Sequence, residues 1–205
     1  MPKKPASSGR PRVSQAEATR RLVDATVKLA GSRLMSEISV GMIADEVGLR
    51  SGSVLVKRYF GFRKDLLQAA APQLTEQNVE LLEKPQAKLS DNPTVNAFII
   101  GGPTHGLLRK RFALITELVD EKMDPTAAQQ DSMRIINAMA NNYHKVGISE
   151  RTAFVTACKA YGLLYMQHAL YGVIGLTKEH LDDLMSLTMF ELGNAQEIEK
   201  QLGWV

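Results

Sequence analysis

The sequence predicts an all-α protein with a small amino-terminal three-helix domain and a larger carboxyl-terminal helical domain. Apolar residues recur at helical spacing along most of the chain, and helix-forming residues dominate its composition. Aromatic residues make up only 6% of the 205 residues, and β-branched runs bounded by turn residues are scarce. We divide the chain into a basic arm (1–14), a head (15–62) and a body (63–205).

The head is predicted to begin with a helix over residues 15–32. Ser14 precedes this helix and Glu17 follows three residues later, which is the spacing of a capping box. Its core stripe consists of apolar residues three or four positions apart, namely Ala18, Leu22, Ala25 and Leu29.

Two further short helices joined by a glycine are predicted in the rest of the head. Ser39 is suited to cap the first, and Gly48 is suited to the left-handed position that ends it. The second begins near Ser53 and carries Lys57 and Arg58. Two helices with a tight turn and a basic second member are typical of a helix-turn-helix, which presents its second helix to the DNA major groove. The buried face of the first is predicted to be Val40, Ile43, Ala44 and Val47.

Over residues 22–67 the chain resembles the DNA-binding end of the TetR family of bacterial transcriptional regulators. The resemblance rests on the segment from Leu22 to Leu29 and on Ser39, Val40, Ile43, Ala44, Tyr59, Phe60, Leu66 and Leu67. The sequence departs from the family at Ala30, where Phe is usual, at Leu34, where Gly is usual, and at Lys57, where Tyr is frequent. The segment 48–60 is also longer than in the family, so the turn or the start of the second helix differs.

Positive charge is concentrated in the head. Residues 1–64 hold 13 Lys/Arg against 5 Asp/Glu, a net charge of +8, whereas residues 65–205 hold 12 against 17, a net charge of −5. A basic head on an acidic body is the expected footprint of DNA binding, because counterion release favours binding where positive groups cluster. The alternative is an ordinary solvated basic surface.

The basic arm is rich in Pro, Ser, Gly, Lys and Arg and is predicted to be disordered in the free protein. Arg10 and Arg12 lie in a Gly-Arg-Pro-Arg stretch that is similar to arms that place an arginine in an A·T-rich minor groove. A solubilising tail has the same composition, so this alternative stays open.

The body is predicted to start with a connecting helix over residues 63–84, which Pro72 kinks or restarts. Phe62 is expected to anchor the turn before it. The inward edge of this helix is predicted to be Leu66, Ala70, Leu74, Asn78 and Leu81. After a loop over 86–93, the predicted elements are helices over 94–119, 124–144, 149–172 and 177–192, and a short amphipathic tail that ends at Trp204.

The family resemblance implies that the body binds a small molecule and forms the dimer. Two sets of aromatic and polar-tipped residues are candidate ligand linings. The first set is Tyr161, Tyr165 and His168, and the second is Phe98, His105, Phe112, Met139 and Tyr143. The alternative for both sets is an ordinary core, or for the first set a dimer seam.

In the family, the last two long helices of each chain pair across the dimer as a four-helix bundle. The corresponding helices here carry a small-residue stripe of Gly162, Ala169 and Gly172 and an apolar edge of Leu181, Leu184, Met185 and Thr188. Both stripes are also compatible with burial within one chain.

The sequence contains no catalytic or metal-binding signature. The four histidines lack metal-ligand spacing, and the single cysteine, Cys158, lies on an apolar stretch that indicates an inert thiol in a reducing compartment. No apolar segment reaches the roughly 18 residues of a membrane span, and no signal peptide is visible. We therefore predict a cytoplasmic protein that is not an enzyme and has no cofactor, metal or membrane partner.

Together these patterns predict a dimeric repressor that binds double-stranded DNA at a palindromic operator and is released by a partly hydrophobic small molecule. Lys57, Arg58, Arg50 and Ser53 are predicted to reach base edges or nearby phosphates, with Arg58 the first choice for base readout, and phosphate contacts are predicted for Ser39, Tyr59, Arg63 and Lys64. Two alternatives are a DNA-binding regulator without an effector and a helical scaffold whose basic head binds another partner.

Overall fold

A computed structural model describes residues 13–30, 37–48, 52–84, 103–170 and 177–204 of the chain. Over these residues the protein is helical and contains no strand, which confirms the predicted all-α class. None of the helices in the same ranges combines the length and apolarity needed to cross a bilayer. The predicted loop over 86–93 and the start of the helix predicted from residue 94 lie outside the described residues.

The described residues form nine α-helices. In chain order they are α1 (Gln15–Leu29), α2 (Val40–Val47), α3 (Gly52–Tyr59), α4 (Arg63–Glu83), α5 (Pro103–Asp120), α6 (Pro125–Lys145), α7 (Glu150–Leu170), α8 (Lys178–Gly193) and α9 (Ala195–Gln201).

Side-chain caps fix the beginnings of several helices where the sequence predicts them. The Ser14 hydroxyl accepts a hydrogen bond from the Glu17 backbone N–H at 3.2 Å, and the Ser39 hydroxyl caps α2 in the same way. Asp124 caps α6 by accepting from the Thr126 N–H at 3.0 Å. Gly48 ends α2 with a φ of 66°, the left-handed conformation that favours glycine. Helix α1 ends at Leu29, three residues before the predicted position.

One prediction for the start of the connecting helix α4 is wrong, and of the two outcomes predicted at Pro72 the restart does not occur. Phe62 does not anchor a turn, because 70% of its surface is exposed, and α4 is capped instead by Asp65, which accepts from the Phe62 N–H at 3.0 Å. The helix runs through Pro72 without a restart. Pro72 has no N–H to donate to the carbonyl of Gln68, four residues earlier in the helix. Both residues lie on the exposed side of α4, so this carbonyl can be hydrated instead.

Helices α4 and α5 each contribute to two apolar clusters. The head cluster combines α1, α2 and α3 with Leu66 to Leu74 of α4 and with Leu114 and Leu118 of α5. The body cluster combines the later part of α4 and the earlier part of α5 with α6 and α7. The packing of the head therefore extends past residue 62, the predicted domain boundary.

The tightest packing in the head is the approach of α3 to α2. A Cβ atom added to Gly52 would lie 2.3 Å from the Ala44 Cβ and 2.6 Å from its Cα. Such distances are far below van der Waals contact, so only glycine permits this separation of the two helices. The close contact sets which side of α3 faces the core and which faces outward.

Gly52→Ala is expected to destabilise the protein by about 1–3 kcal/mol, because the new methyl group overpacks the contact between α2 and α3. Gly41→Ala is the matched control, since a Cβ there meets only the Ser39 hydroxyl, at 3.6 Å. The control should be neutral or stabilising by up to about 1 kcal/mol. Urea unfolding of both variants tests this, and wild-type stability of Gly52→Ala would contradict it.

Candidate nucleic-acid interface

Helix α3 presents one exposed, basic face. Gly52 and Val56 are buried in the head, and Leu55 and Tyr59 are partly buried against its cluster. The opposite side consists of four exposed residues at helical spacing, which are Ser53, Val54, Lys57 and Arg58. Three of the four are predicted to reach base edges or nearby phosphates, and the structure places them side by side. Arg50, the fourth residue with this prediction, lies outside the described residues.

Val54 is a further residue of this exposed face, and sequence reasoning does not single it out. In the structure 63% of its surface is exposed, beside Lys57. Its position three residues before Lys57 and four before Arg58 is the signal that could have placed it on the basic face. An exposed aliphatic side chain on such a face can contact a thymine methyl group, which polar side chains do not recognise.

The predicted phosphate-contacting residues surround this face in different environments. Ser39 is exposed at the first turn of α2, and Lys64 is exposed at the first turn of α4. Tyr59 packs partly against the head cluster, with the Arg58 guanidinium 5.9 Å from its ring centre. Arg10 and Arg12 of the basic arm lie outside the described residues.

Arg63 faces inward, contrary to the prediction that it contacts phosphate. Its Nε donates to the Ile38 carbonyl at 2.9 Å, and its Nη1 donates to the Glu117 and Glu121 carboxylates at 2.7 and 2.8 Å. Two carboxylates already balance this charge, so we remove Arg63 from the predicted phosphate contacts. Because Ile38 precedes α2 and the two glutamates lie at the end of α5, Arg63 links the head to the body.

The two predicted ligand linings meet at Phe112. Its ring lies edge-on to Tyr161 and Tyr165, with centroids 5.1 and 5.3 Å away. Met139 and Tyr143 are fully buried in the same body cluster. His105 is partly buried; desolvation, and then the charge of Arg109, lower its pKa, so the ring is neutral at pH 7. Phe98 and the side chain of His168 lie outside the described residues.

A buried polar cluster adjoins these aromatic rings. The Tyr161 hydroxyl accepts a hydrogen bond from Arg111 Nη1 at 2.9 Å and donates to the Ser132 hydroxyl at 3.1 Å. Burial raises the pKa of Tyr161, so this hydroxyl keeps its proton at neutral pH. Sequence reasoning missed Arg111, although its position between Leu108 and Leu114 on the apolar stripe of α5 is a usable signal.

Helices α7 and α8 expose apolar residues around the predicted dimer face. An added Cβ at Gly162 would meet no atom within 4 Å, and Leu184 is partly buried. Thr188 is buried within the chain, where its hydroxyl donates to the Leu184 carbonyl, so its assignment to the dimer face is wrong. Ala169, Gly172, Leu181 and Met185 lie outside the described side chains. Exposed apolar residues on the two helices are Phe154, Val155, Met166, Leu187 and Phe190.

Within the described part of the chain, His, Cys, Asp and Glu side chains form no group that could hold a metal ion. Cys158 is partly buried, and burial raises the pKa of its thiol, which disfavours the reactive thiolate.

Comparisons of the chain with protein-family models, with curated proteins and with solved structures find no match. What the chain can bind is therefore inferred from the side chains described above. Their arrangement combines an exposed basic helix face, a charged link between head and body, and a buried polar cluster beside aromatic rings.

Removing the carboxylates that hold Arg63 should loosen the head from the body. The double variant Glu117→Gln and Glu121→Gln is expected to destabilise the protein by about 1–2 kcal/mol, because charge-assisted bonds to a partly buried guanidinium are lost. Glu76→Gln is the control, since Glu76 pairs with Arg134 while both side chains are about half exposed, and the expected loss is under about 0.5 kcal/mol. Urea unfolding measures both, and equal effects would contradict the link.

Proposed function

We propose that this chain is a DNA-binding transcriptional regulator that acts as a homodimer, a repressor that a small molecule releases from a palindromic operator. The observation that carries this proposal is the exposed face of Ser53, Val54, Lys57 and Arg58 on α3. It combines a phosphate-binding charge, hydrogen-bond donors for base edges and an aliphatic contact for thymine on one short helix.

The environment of α3 supports a helix-turn-helix role. Helix α2 packs behind α3 through Ala44 and Gly52 and holds it rigidly against the head cluster. Ser39 is exposed at the first turn of α2, where the positive end of the helix dipole favours a phosphate. Lys64 adds a further exposed cation at the start of α4. Phosphate contacts at these positions would fix the orientation of α3 in the major groove.

A dimer is proposed because one short recognition helix reads only a few base pairs. A two-fold pair of heads can read a palindrome whose half-sites lie one helical turn, about 34 Å, apart. Lys159 of α7 forms an ion pair with Glu191 of α8, so the two helices lie side by side and are treated as one unit of the proposed interface. Their exposed residues Met166, Leu187 and Phe190 give this unit an apolar surface that a second copy would cover.

The effector part of the proposal is supported by the body and by its connection to the head. The TetR resemblance implies a ligand site in the body, and the aromatic side chains at Phe112 adjoin a polar cluster there. Helix α5 carries both Phe112 and Glu117, which binds Arg63 at the head. A ligand that prefers one position of α5 would thereby bias the position of the head through its difference in affinity.

Replacing both Lys57 and Arg58 by Ala should weaken binding to the preferred duplex by about 10- to 100-fold or more. It should also reduce the slope of log K against log salt by about 1–2, since each lost phosphate contact removes nearly one released counterion. The matched control is Arg109→Ala with Lys110→Ala, an adjacent pair of cations on the body helix α5. Fluorescence anisotropy on duplexes selected from genomic fragments provides the measurement.

Unchanged DNA affinity of the Lys57 and Arg58 variant at moderate salt would reject the interface. Binding of the wild-type chain to vesicles or protein, with no salt-dependent shift of any selected duplex, would favour the scaffold alternative.

Phe190→Asp should convert the dimer to monomers at micromolar concentration, because a charge would be buried in the apolar α7–α8 interface. Met133→Asp is the control, since Met133 is an exposed apolar residue on α6, a helix that is not part of the proposed interface. Sedimentation velocity distinguishes the species. A wild-type protein that sediments only as a monomer, or a Phe190→Asp protein that remains dimeric, would contradict the assigned interface.

A further inference from the structure

Arg111 is a fully buried guanidinium without a carboxylate partner. Its exposed fraction is 0%, yet within the described residues no Asp or Glu lies within ion-pair distance of it. Asp131 affects it only at longer range. Burial lowers its pKa, but arginine stays protonated at neutral pH. A buried charge of this kind normally has a counterion, because desolvation of an unpaired ion is among the largest costs in folding.

The hydrogen bonds of Arg111 all go to neutral oxygens, and one side of its guanidinium is held loosely. Nε donates to the Thr75 hydroxyl at 3.0 Å and Nη1 donates to the Tyr161 hydroxyl at 2.9 Å. Nη2 reaches only the Ala128 carbonyl and the Ser132 hydroxyl, both at 3.4 Å. Charge-assisted bonds are normally shorter than neutral ones, so Nη2 lacks a strong acceptor.

This polar cluster lies where the two apolar clusters meet. Thr75 follows Leu74 of the head cluster and precedes Val79 of the body cluster on α4. One turn along α4, Asn78 is almost fully buried and its side-chain oxygen has no hydrogen-bond partner. The Asn78 oxygen needs a donor, which a carboxylate lacks, so the feature that points to an anionic ligand is the uncompensated cation of Arg111 beside the aromatic rings.

We propose that Arg111 binds the carboxylate of a small monoanionic acid with an apolar, preferably aromatic, body. A guanidinium fork matches a carboxylate bidentately through Nη1 and Nη2, and Nη2 would exchange its two long contacts at 3.4 Å for the second bond. A single cation selects a ligand with a single negative charge. His105 is neutral and therefore does not add a second positive charge. The rings of Phe112, Tyr161 and Tyr165 supply apolar surface, and Tyr161 and Tyr165 are partly exposed at the edge of this cluster.

This inference deepens the proposed function, because it names the chemical class of the effector. Helix α5 carries Arg111 and, six residues or about 9 Å further along its axis, Glu117, which binds Arg63. An acid that repositions Arg111 would act on the same rigid helix that holds the head.

The binding test uses the full chain without DNA, so that it can succeed or fail independently of the proposed function. Thermal unfolding is measured with benzoate, phenylacetate, 4-phenylbutyrate and octanoate, each against its own primary amide at equal ionic strength. At least one acid should raise the melting temperature in a saturable manner while its amide does not. Isothermal titration then gives the affinity of that acid.

Arg111→Met should weaken the acid by at least about 10-fold, since a charge-assisted bidentate contact is lost. Its melting temperature without ligand should equal or exceed that of the wild type, because an uncompensated buried charge is removed. Arg111→Lys keeps the charge without the fork and should weaken the acid less. Arg109→Met, on the exposed side of the same helix, is the control for charge and should bind the acid normally.

Absence of a saturable shift with all four acids would overturn the proposal. So would normal affinity of the acid for Arg111→Met or, where that variant does not fold, equal affinity for wild type and Arg111→Lys, because neither result leaves a role for the bidentate guanidinium contact. Loss of DNA binding in the Lys57 and Arg58 variant bears on the proposed function and leaves this result unaffected.

Discussion

The contact between Gly52 and Ala44 is the constraint on which the candidate interface depends. A side chain at position 52 would force α3 away from α2, because the space is filled by the Ala44 backbone as well as its methyl group. With α3 held this close, Val56 is buried and Ser53, Val54 and Lys57 must face outward. The chemistry available to a binding partner is therefore set by a packing contact on the opposite side of the helix.

The head and the body are joined through shared helices rather than through a linker. Leu66 and Leu74 of α4 belong to the head cluster, whereas Val79 and Leu82 further along the same helix belong to the body cluster. Helix α5 is divided in the same way. A displacement of either helix must change packing in both clusters, because closely packed interiors do not absorb such movements locally. This arrangement makes communication between a body ligand and the head physically direct.

Local signals were predictable from sequence, and long-range partners were not. Ser39, Gly48 and Asp124 were placed correctly because caps and left-handed glycines depend on nearby residues. The inward turn of Arg63 depends on Glu117, which lies more than fifty positions away in the sequence. The exposure of Phe62 depends on how the surrounding helices pack. Hydrophobic periodicity encodes neither. The shared exposure of Ser53, Lys57 and Arg58 is predictable for the same reason as the caps, since these residues lie on one short helix.

Arg63 on α4 and Arg111 on α5 each bridge these two helices, but only one of the two charges is balanced by carboxylates of the described residues. Arg63 is partly exposed and has two carboxylates, so its charge is balanced by the chain itself. Arg111 is more deeply buried, where desolvation is costlier, yet its acceptors are neutral. If burial alone governed pairing, the deeper arginine would have the stronger counterion. Here the deeper arginine is the one without a counterion among the described residues. This difference distinguishes Arg63, which forms a structural ion pair, from Arg111, whose charge we propose an external anion completes.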